Sequence, residues 1–246
     1  QFAQDNELSE NGMINDSLQA TKLGLKSIPE TAEQLIIERD LRLLENYNTK
    51  YHIALISSKK SLEIIKNAKE RGLKFTVGVS INNLSLNEND IGDFKTFLKL
   101  SPPLRSEEDR LALIDGVKQG LINVIVSDHK PEDEESKRLT FQQATTGASG
   151  IESLLSLGLE LVHNGSCDLN TLINNLTSSP AKILGIRNGT LSVGSEADIA
   201  VFDLDKPWVF KKENIKSKSK NTAIEDRKLQ GKVEKTFING DLVFSE

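Results

Sequence analysis

Histidine and cysteine, the side chains that most often hold transition metals, are scarce in this chain of 246 residues, with three of the first and one of the second. The lone Cys167 rules out an intrachain disulfide framework and fits a reducing compartment. It is followed by Asp168, and no nucleophilic role is expected for it. Aromatic residues make up only 5%, and the single Met13 and single Trp208 are read as packing residues. No apolar run approaches the roughly 20 residues that a membrane-spanning helix needs, and no signal peptide is visible, so a cytoplasmic setting is expected. Neither charge dominates: 31 Lys and Arg stand against 36 Asp and Glu. The net charge of −5 gives no electrostatic reason to expect nucleic acid or an anionic membrane as partner.

What is present is a folded composition, 37% hydrophobic with both charges interspersed, enough for one large α/β domain or for one domain plus a small appendage. Between residues 28 and 186 helix-like and strand-like segments alternate. A helix is predicted from Pro29 to about Tyr47, with Ala32, Leu35, Ile36 and Leu43 as its apolar positions. A strand follows over 51–56, a helix over 61–71 that stops at Gly72, and a strand over 74–79. A helix over 107–119, a strand over 123–127 and helices over 151–162 and 169–176 complete the rhythm. Such βαβα alternation implies a parallel sheet with helices outside. After Gly185 the pattern changes to Asn-Gly and Val-Gly turns between short β-rich runs (199–202, 233–238, 242–244), which predicts a small antiparallel unit. The boundary is placed at 186/187. The lysine- and serine-rich segment 211–220 is read as a solvated charged loop.

Asp128 carries the most chemistry. It follows the apolar run Val124-Ile125-Val126, so a buried strand would deliver its carboxylate at the carboxyl end, where parallel α/β folds assemble their sites. Around it, Ser127-Asp128-His129-Lys130-Pro131 resembles the Thr-Asp-His-Ala-Pro-His block of dihydroorotases, and Lys99-Leu100-Ser101-Pro102-Pro103-Leu104-Arg105 their Lys-x-Asn-Pro-Pro-Leu-Arg block. Gly189-Thr190-Leu191, Gly194 and Ala197-Asp198 are similar to the C-terminal β-unit of the amidohydrolase superfamily. The resemblance implies an α/β fold: the C-terminal half of a (β/α)8 TIM-type barrel, strands five to eight, over residues 1–186, and part of a small C-terminal β-sandwich unit over 187–246. It also implies a longer natural protein. The family reaction is the interconversion of carbamoyl aspartate and dihydroorotate in pyrimidine synthesis. Two zinc ions activate the attacking water and the strand-eight aspartate shuttles the proton.

Against the same blocks, the places for zinc ligands are altered. Phe2 stands where the strand-five histidine belongs and Leu55 where the strand-six histidine belongs; of the three ligand places visible, only Asp128 keeps a donor. His52 matches a histidine that is no ligand and is read as a hydrogen-bonded side chain beside a strand. At the substrate places, Ser101 replaces an asparagine, and Glu132 replaces a histidine that meets the substrate carboxylate, which makes that contact repulsive. Thr146-Gly147 replaces a Phe-Gly pair. A different metal set drawn from Asp5, Asp128, His129, Glu132 and Asp133 is conceivable, although Glu132 and Asp133 open an acidic run that reads as a solvated loop.

The expectation is a dihydroorotase-like protein with a degraded metal site, binding zinc weakly if at all. It would serve as a structural partner of aspartate transcarbamoylase, as some members of the resembled family do, and homo-oligomers are compatible with this. The competing expectation is an active zinc-dependent dihydroorotase or related cyclic amidase, with Asp128 as the catalytic group. A third is an amidohydrolase turned to another substrate, where Ser101 and Glu132 would select a neutral or cationic group.

Overall fold

The computed structural model describes residues 1–47 and 49–246. Strands β1 (Ile14–Asn15) and β2 (Ser27–Ile28) pair in parallel on either side of the short helix α1 (Leu18–Leu23). Helix α2 (Thr31–Asn46) follows. Its buried stripe is Ala32, Ile36, Ile37 and Leu41, while Leu35 and Leu43 are exposed. At 100° per residue Leu35 falls on the far side of that stripe, which corrects the apolar face expected from sequence.

The central layer is a parallel sheet in the order β3 (His52–Ile56), β4 (Thr76–Ser80), β5 (Val124–Val126). The first residues of the chain lie along β3, where the Ala54 N–H donates to the Gln1 carbonyl at 2.9 Å. Helices α3 (Lys59–Glu70), α4 (Ile81–Ser85) and α5 (Glu107–Lys118) fill the crossovers. Each begins at a serine whose hydroxyl accepts a backbone N–H: Ser58, Ser80 and Ser106. Ser106 and Asp109 form a complete capping box on α5. The central strands bury Ile53, Ile56, Val77, Val79 and Ile125, as strands covered on both faces should.

Beyond β5 come α6 (Glu134–Arg138), α7 (Leu154–His163), α8 (Leu169–Leu176) and α9 (Ser178–Leu184). The acidic run expected as a loop therefore contains a helical turn, because the Asp133 carboxylate caps it by accepting the Ser136 N–H at 2.8 Å. A separate antiparallel sheet, β6 (Ile199–Val209), β7 (Lys228–Ile238) and β8 (Asp241–Ser245), closes the chain. It docks on α7, where the Ser156 hydroxyl donates to the Gly231 carbonyl at 2.7 Å; within the sheet the Trp208 indole donates to the same carbonyl at 3.0 Å. Phe210, Ile215, Ile224 and Leu229 join the same hydrophobic cluster as the central strands.

Segment 211–220 is not the free excursion expected from its lysines. Ile215 is 4% exposed and anchors it, and the backbone N–H groups of Lys216 and Ser217 donate to the Glu152 carboxylate at 2.9 Å. One apolar side chain and one carboxylate suffice to hold a segment whose charged heads still reach water. No described helix is long and apolar enough to cross a membrane.

Candidate functional site

Strand β5 ends at Val126, and two residues later the backbone turns through a left-handed conformation at Asp128, with φ of 47°. Aspartate tolerates this region better than most residues do. The turn leaves the Asp128 side chain 8% exposed at the carboxyl end of the sheet. A buried carboxylate needs compensation. It comes from within the chain: Lys130 Nζ lies 3.1 Å from Asp128 Oδ1. The same ammonium donates to the Ser101 carbonyl at 2.8 Å and sits 5.7 Å from the centroid of the Phe2 ring.

Lys130 thus gathers three of the residues singled out from sequence: Phe2, Ser101 and Asp128. Ser101 contributes its carbonyl oxygen rather than its hydroxyl. Gly147 belongs to the same neighbourhood, since its N–H donates to the Lys99 carbonyl at 2.9 Å. Its φ is 143°, and a Cβ added there would lie 2.7 Å from the Lys130 carbonyl oxygen and 3.4 Å from Glu132 Cγ. Leu55 is buried on β3 but lies outside the hydrophobic cluster, and Thr146 stays half-buried. Sequence reasoning passed over Lys130. The available signal was a cation two residues after Asp128, where the resembled block has a neutral alanine.

The loop before Gly147 is held by two lysines. Lys137, 2% exposed, donates to the carbonyls of Thr145 and Gly147, both at 2.8 Å. Burial pushes its ammonium down to about 8, opposed by the nearby Glu132 carboxylate and assisted by Lys99. Lys99 reaches the carbonyls of Gln142 and Ala144 at 3.0 and 2.7 Å, and burial lowers its pKa as well.

The remaining candidates are accounted for locally. His129 Nδ1 accepts the Gly150 N–H at 3.1 Å, which assigns the proton to Nε2 and leaves the neutral ring no free lone pair for a metal. His52 Nδ1 pairs with the Thr76 hydroxyl at 2.8 Å, as a structural histidine beside a strand would, and burial lowers its pKa. Asp5 Oδ1 accepts the N–H groups of Glu7 and Leu8 and shapes a turn. Among the described residues no group of three His, Cys, Asp or Glu is placed to hold a metal, so the alternative set built on Asp5, His129, Glu132 and Asp133 does not assemble. Cys167 is buried with its thiol pKa raised by burial, the opposite of an activated nucleophile.

Parallel strands that deliver a carboxylate at their carboxyl end, followed by a docked antiparallel sheet, define the class of protein. The chain belongs to the amidohydrolase family, which it matches over residues 8–243. It is 41% identical to the dihydroorotase of Ehrlichia chaffeensis over 99% of its own length and 55% of that protein, and 38% identical to the dihydroorotase of a Thermoanaerobacter species over 99% and 56%. It spans little more than half the length of these relatives. Among solved structures, L-hydantoinase from Arthrobacter aurescens superposes with a TM-score of 0.86 at 26% identity, covering 98% of this chain and 53% of that one. The inactive dihydroorotase-like domain of the Chaetomium thermophilum CAD-like multifunctional protein shares the fold, with a TM-score of 0.65 at 20% identity over 87% of this chain and 56% of that one.

The family is typically metal-dependent. A zinc centre needs at least three nitrogen, oxygen or sulfur donors from the protein. A phenyl ring, an isobutyl group and one carboxylate already engaged by an ammonium do not fit that requirement.

Proposed function

We propose that this chain is the C-terminal half of a dihydroorotase-like (β/α)8 barrel, with part of its β-sandwich unit. We propose further that the protein acts in de novo pyrimidine synthesis without a metal centre of its own, as a structural partner of aspartate transcarbamoylase in the cytoplasm. One observation carries the reading: Phe2 and Leu55 hold the places where the resembled family puts zinc-binding histidines, and neither has a lone pair to give. Losing two first-coordination ligands should abolish zinc binding at ordinary concentrations. The span of 55% of the Ehrlichia relative supports a half-barrel, as do three parallel strands with the chain start laid beside the first of them. The Chaetomium domain, named inactive, offers a precedent for the same fold without turnover.

Elemental analysis of the purified full-length protein tests the reading, with dihydroorotate hydrolysis assayed in parallel. The expected result is no stoichiometric zinc, no turnover, and copurification with aspartate transcarbamoylase. Two zinc ions per chain with turnover lost in Asp128→Ala would overturn it in favour of an active cyclic amidase.

A further inference from the structure

The metal-ligand places and the electrostatics of the site disagree in an informative way. Once histidine ligands and their metal are gone, a carboxylate 8% exposed at the end of β5 would be left without a counter-charge. Such a group costs several kcal/mol unless it is neutralised or paired. Natural chains could remove the aspartate. This one keeps Asp128 and places Lys130 two residues on, where the resembled block has alanine.

We propose that the Lys130 ammonium is a built-in cation that replaces the metal ion as the counter-charge of Asp128 and excludes divalent ions from that place. The exclusion rests on the reading of Asp128 as a former metal ligand; the charge replacement does not. Three contacts define the cation's seat: Asp128 Oδ1 at 3.1 Å, the Ser101 carbonyl oxygen at 2.8 Å and the face of Phe2 at 5.7 Å. A carboxylate oxygen and a carbonyl oxygen are donors suited to a hard cation, and an aromatic face suits an ammonium but no metal ion bound through lone pairs. Phe2 is therefore more than a missing histidine. It completes a seat that favours the organic cation. The Lys130 N–H is itself fixed, donating to the Ala148 carbonyl at 3.0 Å, so the side chain starts from an anchored backbone.

Two measurements on the full-length protein separate the parts of this inference. Lys130→Met leaves Asp128 without its counter-charge and should lower Tm by roughly 5 °C or more, while Asp128→Asn/Lys130→Met should recover most of the loss. Lys130→Arg, which keeps the charge, should stay near wild type. Additive losses in the double variant would overturn the charge replacement. For exclusion, Phe2→His/Leu55→His is compared with Phe2→His/Leu55→His/Lys130→Met in titrations with Co(II), read by its visible absorption and so without any activity assay. Removing the lysine should tighten cobalt binding by at least about tenfold. Equal affinity in the two would overturn the exclusion. Stoichiometric metal in the wild-type protein would instead sink the reading of a lost metal centre, an outcome distinct from either.

Discussion

The Arg105 guanidinium donates through Nε to the Ser57 hydroxyl at 3.0 Å, and that hydroxyl donates in turn to Glu33 at 2.5 Å. Arg105 is 3% exposed and also reaches Asn15 Oδ1 and the Ile28 carbonyl, both at 2.8 Å. Glu33, equally buried, accepts the Ser57 N–H as well. One network thus ties the β1–β2 pair, the start of α2 and the end of β3 to the Pro-Pro-Leu-Arg block. It shares no hydrogen-bond partner with Lys130 and is structural.

Arg105→Met should therefore cost stability, not chemistry. It strips donors from three buried acceptors and leaves the Glu33 carboxylate with less support, so the unfolding free energy should fall by about 3 kcal/mol or more. Arg105→Lys should recover little, because an ammonium cannot reproduce a planar fork aimed at several acceptors. Urea unfolding with both variants measures this; a loss under about 1 kcal/mol would mean that water substitutes for the guanidinium.

Lys137 should give the protein a pH-dependent stability at the alkaline side. Its pKa is about 8 in the folded state against 10.5 when unperturbed, with burial as the main cause. Between those values the unfolded chain binds more protons than the folded one, so stability rises with pH through that window. Below pH 8 the cost of burying the charge is fully present, at most roughly 3 kcal/mol. Lys137→Met removes the group from both states. The difference in unfolding free energy between wild type and this variant should then climb in favour of wild type from about pH 8 to 10.5. A flat difference would show that Lys137 titrates normally.

The core was legible where periodicity and caps agreed. The predicted strand at 51–56 and helices at 107–119 and 169–176 match β3, α5 and α8 within two residues, since Ser106-Asp109 and Asp168 are strong start signals. The apolar face of α2 was misjudged because Leu35 falls out of phase with the buried stripe, while Leu43, in phase with Ala32 and Ile36, lies exposed in the last turn of the helix. At the site, the proposed loss of ligands rests on Phe2 and Leu55, single letters that the sequence displays directly. It did not reveal Lys130 or Lys137. Their roles depend on where a long side chain ends, and four rotatable bonds put that beyond any spacing rule.

Gly147 should resist even the smallest side chain. Its φ of 143° is rarely adopted by residues with a Cβ, and an added methyl would meet the Lys130 carbonyl oxygen at 2.7 Å and Lys130 Cβ at 2.9 Å. Both neighbours are near backbone and cannot swing aside. Gly147→Ala should cost about 1–3 kcal/mol and shift the amide resonances of residues 128–130 in a two-dimensional NMR spectrum. Thr146→Ala, next to it, should do neither. An unperturbed spectrum for Gly147→Ala would mean that the 145–148 segment is not held against Lys130.

The docking of the C-terminal sheet can be measured through one ion pair. Arg227 Nε and Nη2 meet Glu160 Oε1 and Oε2 at 3.1 and 2.7 Å, a bidentate clasp between α7 and the segment leading into β7. Their side chains are 31% and 26% exposed, so water weakens the pair without erasing it. A double-mutant cycle with Arg227→Gln and Glu160→Gln should return a coupling energy of about 1 kcal/mol. Arg227→Lys should lose much of it, since a point charge cannot span both oxygens. The Ser156 hydrogen bond to the Gly231 carbonyl and the apolar packing should keep the sheet docked in every variant, leaving a single cooperative unfolding transition. A second transition appearing only in the variants would show that this clasp, rather than the packing of Phe210 and Leu229, joins the sheet to the α/β layer.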